Sequence, residues 1–149
     1  TLVTVDIDRF KTINDRHGHA IGDQVIIALA RLLSDATGEK DLVARLGGEE
    51  FALILANQNI EQAARTAEIL RQRVRAELSA AIGHEQEVSA SFGLAQLAPG
   101  EALSDLARRS DLALYEAKNT GRDKVSLAPV DKPSLAHGHP VLISSRTAA

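Results

Sequence analysis

Two neighbouring carboxylates, Glu49 and Glu50, follow Gly47 and Gly48 and run straight into the apolar stretch Phe51 to Leu55. A third, Asp6, interrupts an alternating segment in which Val3, Val5 and Ile7 share one face and Leu2, Thr4 and Asp6 the other, as in a strand. Packing explains a carboxylate inside a strand poorly. If that strand pairs beside the hairpin that Gly47-Gly48 predicts, Asp6 meets Glu49 and Glu50. Clustered carboxylates repel one another unless a cation lies between them. Hard oxygen donors suit Mg2+, whose shell substrate phosphates would complete. Gly47 and Gly48 then remove side chains where a nucleotide has to come close. Alone, Glu49-Glu50 reads more simply as a solvated acidic turn; Asp6 is what weights the pair toward metal chemistry.

Asn14 and Asp23 form a second group. Guanine presents two N–H donors and a carbonyl on its Watson–Crick edge; an Asp accepts both donors, and an Asn donates as well as accepts. Taken singly, Asp23 is a helix-start acid and Asn14 a turn former. Lys118 and Arg122 flank the end of a helix, where cations complement the dipole or hold phosphate oxygens, and Lys11 has the same two readings. His17 and His19 bracket Gly18 without zinc spacing, and His137 and His139 carry no functional weight. No G-x-x-x-x-G-K-[ST] phosphate loop occurs.

The elements that must position these groups follow from periodicity. A strand at 2–7 leads to a short helical segment at 8–14 and a helix at 21–36 with Gly38 as its stop. Strands at 42–46 and 51–55 form the hairpin, and a long amphipathic helix spans 60–78. A strand at 88–97, introduced by a hairpin around Gly83-His84, precedes a helix from Leu103 to Ala117 and a closing strand at 124–128. The order is βααββαβαβ, an α+β plan with a central, mostly antiparallel sheet covered by helices on one face or both. Residues 1–128 make one domain; residues 129–149, rich in Pro and Ser, read as a tail in which Val141-Leu142-Ile143 docks locally if at all.

Composition is that of an ordinary globular domain, 149 residues with 44% apolar and 25% charged. A net charge of −3 without basic runs points away from nucleic acid and from a charged membrane surface. No apolar stretch is long enough to span a bilayer and no export signal is present. The absence of cysteine excludes disulfides and thiolate metal sites and fits a reducing compartment. Beginning at Thr1 inside a strand and lacking methionine, the chain reads as a piece of a longer one.

These residues coincide with a known family. Val5-Asp6-Ile7-Asp8-Arg9-Phe10-Lys11, Ile13-Asn14-Asp15, Gly18-His19, Gly22-Asp23, Arg45-Leu46-Gly47-Gly48-Glu49-Glu50-Phe51, Ser91-Phe92-Gly93 and Ala113 to Lys118 with Gly121-Arg122 resemble the GGDEF domain of diguanylate cyclases. The resemblance covers residues 1–128 and implies a fold related to nucleotide cyclases and polymerase palm domains, of the ferredoxin-like kind. It implies condensation of two GTP into cyclic di-GMP with release of two pyrophosphates, by two domains that pair as a homodimer. It assigns Asp6, the Ile7 carbonyl and Glu49 to Mg2+ (or Mn2+), two ions per site. Glu49 and Glu50 become the signature acids, one of them the base for the attacking 3′-hydroxyl. Asn14, Asp23 and His19 lie at the guanine and nucleotide. Gly47 and Gly48 give the nucleotide room, while Lys11, Lys118 and Arg122 hold phosphates and stabilise transition-state charge. It further implies a cytoplasmic setting and an upstream sensory domain in the parent chain. The alternative is a catalytically silent member that binds GTP or cyclic di-GMP as a regulatory module.

Two features depart from the family pattern. The Asp-x-Leu-Thr-type lead-in ending in Asn-Arg is absent, and the inhibitory Arg-x-x-Asp is here Gly38-Glu39-Lys40-Asp41. Without the forked Arg, binding of product at that site is expected to weaken by about 1.5–3 kcal/mol, the worth of a charge-assisted contact. Titrating cyclic di-GMP into a turnover assay checks this: feedback should be weak, and strong non-competitive inhibition at micromolar product would contradict it.

Overall fold

The computed structural model describes residues 1–83 and 87–129. The chain runs β1 (Leu2–Ile7), α1 (Phe10–His17), α2 (His19–Asp35), β2 (Leu42–Gly47), β3 (Glu50–Ile54), α3 (Ile60–Arg73), a π-helical turn (Val74–Leu78), α4 (Ser79–Ala81), β4 (Ala90–Ala95), α5 (Leu103–Asn119) and β5 (Val125–Leu127). The expected order holds. The helix expected over 60–78 is one continuous helical run that widens into π geometry at Val74–Leu78. Gly83, at φ +77, closes that run by donating its N–H to the Ala80 carbonyl. The rest of the hairpin expected around His84, and the tail with His137, His139 and Val141 to Ile143, lie outside the described residues.

The five strands form one sheet in the order β2-β3-β1-β4-β5, antiparallel except for the parallel pair β4–β5. β1 is central, and its register sets both faces. Val3 lies between Leu53 and Leu94, and Val5 between Phe51 and Phe92. These side chains, all buried, meet the apolar stripes of α2 (Val25, Leu29, Leu32, Leu33) and α3 (Ala63, Ala67, Leu70) in the main core. Asn59 starts α3 with a capping box: its side chain accepts from Gln62 N at 2.9 Å, and Gln62 Oε1 accepts in turn from Asn59 N at 3.0 Å.

The opposite face carries Thr4 and Asp6 and is covered by α5. This helix lies unusually close to the sheet because Gly93 has no side chain. A Cβ there would sit 2.2 Å from Leu114 N and 2.3 Å from Ser110 O, both backbone atoms that cannot yield. Thr4 and Ser110 hydroxyls bond across the gap at 3.1 Å. Helices therefore cover both faces, and the polar side chains of β1 point at α5.

Near the start of α5, the buried Arg109 guanidinium donates to Glu101 from Nε and Nη2, each at 2.7 Å, and to the Gln96 carbonyl at 2.6 Å. The pairing holds Glu101 at about 2, well below the usual carboxylate value of 4.5. A lowered folded-state value means that the contribution is present above the unfolded value and is lost as pH falls through the folded one. Wild-type stability should therefore decline between about pH 4.5 and about pH 2 more steeply than that of Glu101→Gln. Thermal melts across that window measure the difference.

Candidate active site

Asp6 is buried on a central strand, and its ladder partner on β3 is Glu50. Burial raises its pKa, the Lys118 ammonium bonded to it pulls the other way, and the Glu49 and Glu50 charges raise it further. Lys118 Nζ is 2.6 Å from Asp6 Oδ2, so the close approach of α5 allows a cation from the helix end to reach the strand. Asp6, in short, is a carboxylate that needs positive charge beside it.

The hairpin bends at Gly48 and Glu49, with Gly48 at φ +48, a conformation open to glycine at little cost. No atom lies within 4 Å of a Cβ built at Gly47 or Gly48, so the space above the turn is free, as the paired glycines implied. Arg45, which the motif reading left without a role, fixes the bend: its Nε and Nη2 donate to the Gly48 carbonyl at 3.0 and 2.7 Å. Nothing in the local pattern signalled it. The Ile7 N–H reaches the Glu49 carbonyl at 3.4 Å and ties the turn to the end of β1.

Asp6, Ile7, Asp8, Arg9, Phe10, Lys11, Glu49, Lys118 and Arg122 line one cleft of about 180 Å³. The structure thus gathers the expected metal, phosphate and acid residues from β1, the hairpin, α1 and the end of α5. Glu50 parts company with Glu49. It faces an adjoining groove with Leu46, Leu114 and Tyr115, which shares Lys118 with the cleft and where burial and the Glu50 charge raise the pKa of Asp111.

Asn14, His19 and Asp23 do not line this cleft. They lie where α1 and α2 pack together, His19 opening α2 and Asp23 just past its first turn rather than within it. Asn14 Oδ1 is buried with no hydrogen-bond partner, an acceptor left for something else. Gly22, which motif reading gave no role, makes room for it: a Cβ there would fall 1.9 Å from Asn14 Oδ1 and 3.1 Å from Phe10 Cζ. Asp41, the surviving residue of the inhibitory pattern, is already engaged, accepting from Gly38 N at 2.9 Å and Ala56 N at 2.8 Å.

Among the described residues no group of three or more acidic or histidine side chains forms a ready-made metal cage. The hard donors on hand are the Asp6 and Glu49 carboxylates with the Ile7 backbone. One or two carboxylates completed by phosphates is the donor set by which Mg2+ binds at nucleotide sites. The residues fit such an ion.

A mixed sheet with helices on both faces, and an acidic hairpin beside an acidic central strand, define an α+β domain of the nucleotide-cyclase kind. Residues 1–124 match the family model "Diguanylate cyclase, GGDEF domain", and the chain belongs to the GGDEF family. It is 41% identical over 128 residues to diguanylate cyclase DgcM of Escherichia coli, covering 86% of this chain and 30% of that protein. It is 37% identical over 131 residues to diguanylate cyclase VdcA of Vibrio cholerae, covering 84% and 38%. The chain therefore spans about a third of the length of these curated relatives. Among solved structures, the active GGEEF domain of a Vibrio cholerae diguanylate cyclase superposes with a TM-score of 0.78 at 36% identity, covering 86% of this chain and 81% of that one. The GGDEF domain of DgcB from Caulobacter crescentus, in complex with c-di-GMP, gives a TM-score of 0.78 at 34% identity, with 85% and 76% covered.

Gly22→Ala is expected to push the Asn14 amide aside and to press on the buried Phe10 ring, lowering the melting temperature modestly. A ligand that uses Asn14 would lose about 1–2 kcal/mol of binding, the worth of one buried hydrogen bond. Calorimetric titration of GTP into wild type and variant measures it.

Proposed function

We propose that this domain joins two molecules of GTP into cyclic di-GMP and releases two pyrophosphates. The observation that carries the reading is the single cleft shared by Asp6, Lys11, Glu49, Lys118 and Arg122, beneath an unbroken Gly47 to Phe51 signature. The names of the relatives, diguanylate cyclases, support it.

In this reading Asp6, the Ile7 carbonyl and Glu49 hold Mg2+ or Mn2+, two ions per site. Bound there, the metal polarises the α-phosphate and offsets its charge. The chain's own residues do the rest. Lys11, Lys118 and Arg122 grip the β- and γ-phosphates and stabilise the charge that grows on the leaving pyrophosphate. Lys118 already sits on Asp6 and so stands at the boundary between carboxylate and phosphate. Asn14 and Asp23 take the guanine edge, with His19 near the nucleotide, and Gly47 and Gly48 keep its path clear. Of the two signature acids, Glu49 lines the cleft and is the one we assign the 3′-hydroxyl proton, while Glu50, the ladder partner of Asp6, lines the neighbouring groove. Each domain presents one such cleft, so condensation of two GTP needs a second copy facing the first, which brings the attacking hydroxyl into line. We further infer an output role in a longer cytoplasmic-facing chain under a sensory domain, which accords with the greater length of the relatives. No helix among the described residues is long and apolar enough to cross a membrane.

Incubating the protein with GTP and Mg2+ and separating the products tests the proposal. Cyclic di-GMP and pyrophosphate should accumulate only with the divalent ion. Glu49→Ala should reduce turnover by a factor on the order of a hundred or more, as loss of a catalytic acid–base does, while its circular dichroism stays that of wild type. GTP binding without product would identify the silent alternative.

A further inference from the structure

Asp8 stands two residues from Asp6 and lines the same cleft, yet its carboxylate is taken up by donors from the protein itself. Its buried carboxylate accepts from Ser91 Oγ at 2.7 Å, Ser89 Oγ at 2.7 Å and the backbone N–H of Asp123 at 2.9 Å. The last bond reaches the loop that carries Arg122. That loop is held in an uncommon backbone form: Arg122 and Asp123, neither of them glycine, have φ of 62° and 45°. Two successive left-handed residues persist only where surrounding contacts impose them.

The contacts are specific. Arg122 N–H donates to the Ala117 carbonyl at 2.9 Å and turns the chain off the end of α5. The Asp123 carboxylate is shared by two guanidinium groups of the helical run on the other side of the sheet, accepting from Arg71 Nη1 at 2.6 Å and Arg75 Nη1 at 3.0 Å. Arg71 is itself clamped by both oxygens of Glu68 at 2.7 and 2.9 Å, and Arg75 by Glu87. Arg122, by contrast, has no side-chain hydrogen bond or ion pair among the described residues, and it lines the cleft beside Lys118. The loop spends its acid on the two neighbouring arginines and leaves the third one available.

We propose that Asp123 is a positioning residue for Arg122, anchored through its backbone by Asp8 and through its carboxylate by Arg71 and Arg75. The clamp forces the left-handed pair that turns the Arg122 guanidinium toward the cleft. Arg71 of α3 and Arg75 of the π turn are thereby coupled to the grip on the β- and γ-phosphates; this rests on the functional reading above, in which Arg122 binds them.

The test separates the clamp from that reading. Affinities for 3′-deoxyGTP and 3′-deoxyGMP, which lack the attacking hydroxyl, are measured for wild type, Arg122→Ala, Asp123→Ala, Arg71→Ala/Arg75→Ala and Arg122→Ala/Asp123→Ala. Amide exchange of the 120–124 loop is followed in parallel. Asp123→Ala and the Arg71/Arg75 double variant should each weaken the triphosphate roughly tenfold, the worth of a charge-assisted contact, and leave the monophosphate unchanged. Asp123→Ala should add nothing once Arg122 is gone, because it acts through that side chain. Exchange at Asp123 should quicken in both clamp variants. Losses that add, or that fall equally on monophosphate and triphosphate, would overturn the clamp, as would a triphosphate loss in Arg122→Ala with none in Asp123→Ala. A triphosphate preference untouched by Arg122→Ala would overturn the phosphate assignment itself and the proposal with it.

Discussion

The arrangement turns on one carboxylate that has little reason to be where it is. Asp6 sits on the middle strand of the sheet, hydrogen-bonded on both sides through its backbone and covered by a helix above. An isolated charge there would be too costly to keep. Lys118 meets that demand, and for Lys118 to do so α5 has to lie almost against β1 and β4. That proximity requires Gly93, and it recruits Thr4 and Ser110 to satisfy the polar groups sealed in the gap. A single buried acid thus constrains the identity of residues on three elements that are far apart along the chain.

The other face of the same sheet has no such polar business. Val3, Val5, Ile7, Phe51, Leu53, Phe92 and Leu94 form a continuous apolar layer under α2 and α3 and carry the stability. The division of labour across β1 lets the site side tolerate strain: a positive φ at Arg9 and another pair at Arg122 and Asp123. Local irregularities gather at functional edges because the rest of the fold over-determines them.

Much of this was legible in the sequence because its signals are local. Alternation placed β1 and turned Asp6 away from Val3, Val5 and Ile7; the glycine pair marked the hairpin; the stripes of α2, α3 and α5 were read within a residue or two. The motif order matched the family closely enough for Lys118 and Arg122 to be named beside Asp6 despite their distance along the chain. The missing parts depend on contacts that no local pattern announces. Asp8 finds Ser89 and Asp123 at separations of 81 and 115 residues, and nothing around it advertises either. The π turn hides inside a stripe that Val74 and Leu78 continue without a break. Gly22 looks like any helical glycine until the Asn14 amide is seen where its side chain would be. The separate directions of Glu49 and Glu50 followed from the bend itself, which falls one residue later than the glycine pair suggested.

The order in which the chain is made gives the Asp6–Lys118 pair a further meaning. The partners are separated by 112 positions (118 − 6), and the central strand needs β4, a late element, on one of its flanks. A polypeptide leaving the ribosome at roughly 5–20 residues per second therefore carries Asp6 for some seconds before its counter-charge is synthesised. Through that interval the face of β1 that carries Asp6 stays open to water, because α5, which covers it, is also the element that brings Lys118. Contacts this distant along the chain slow folding, and the cleft is completed only when the last helix sets Lys118 against Asp6.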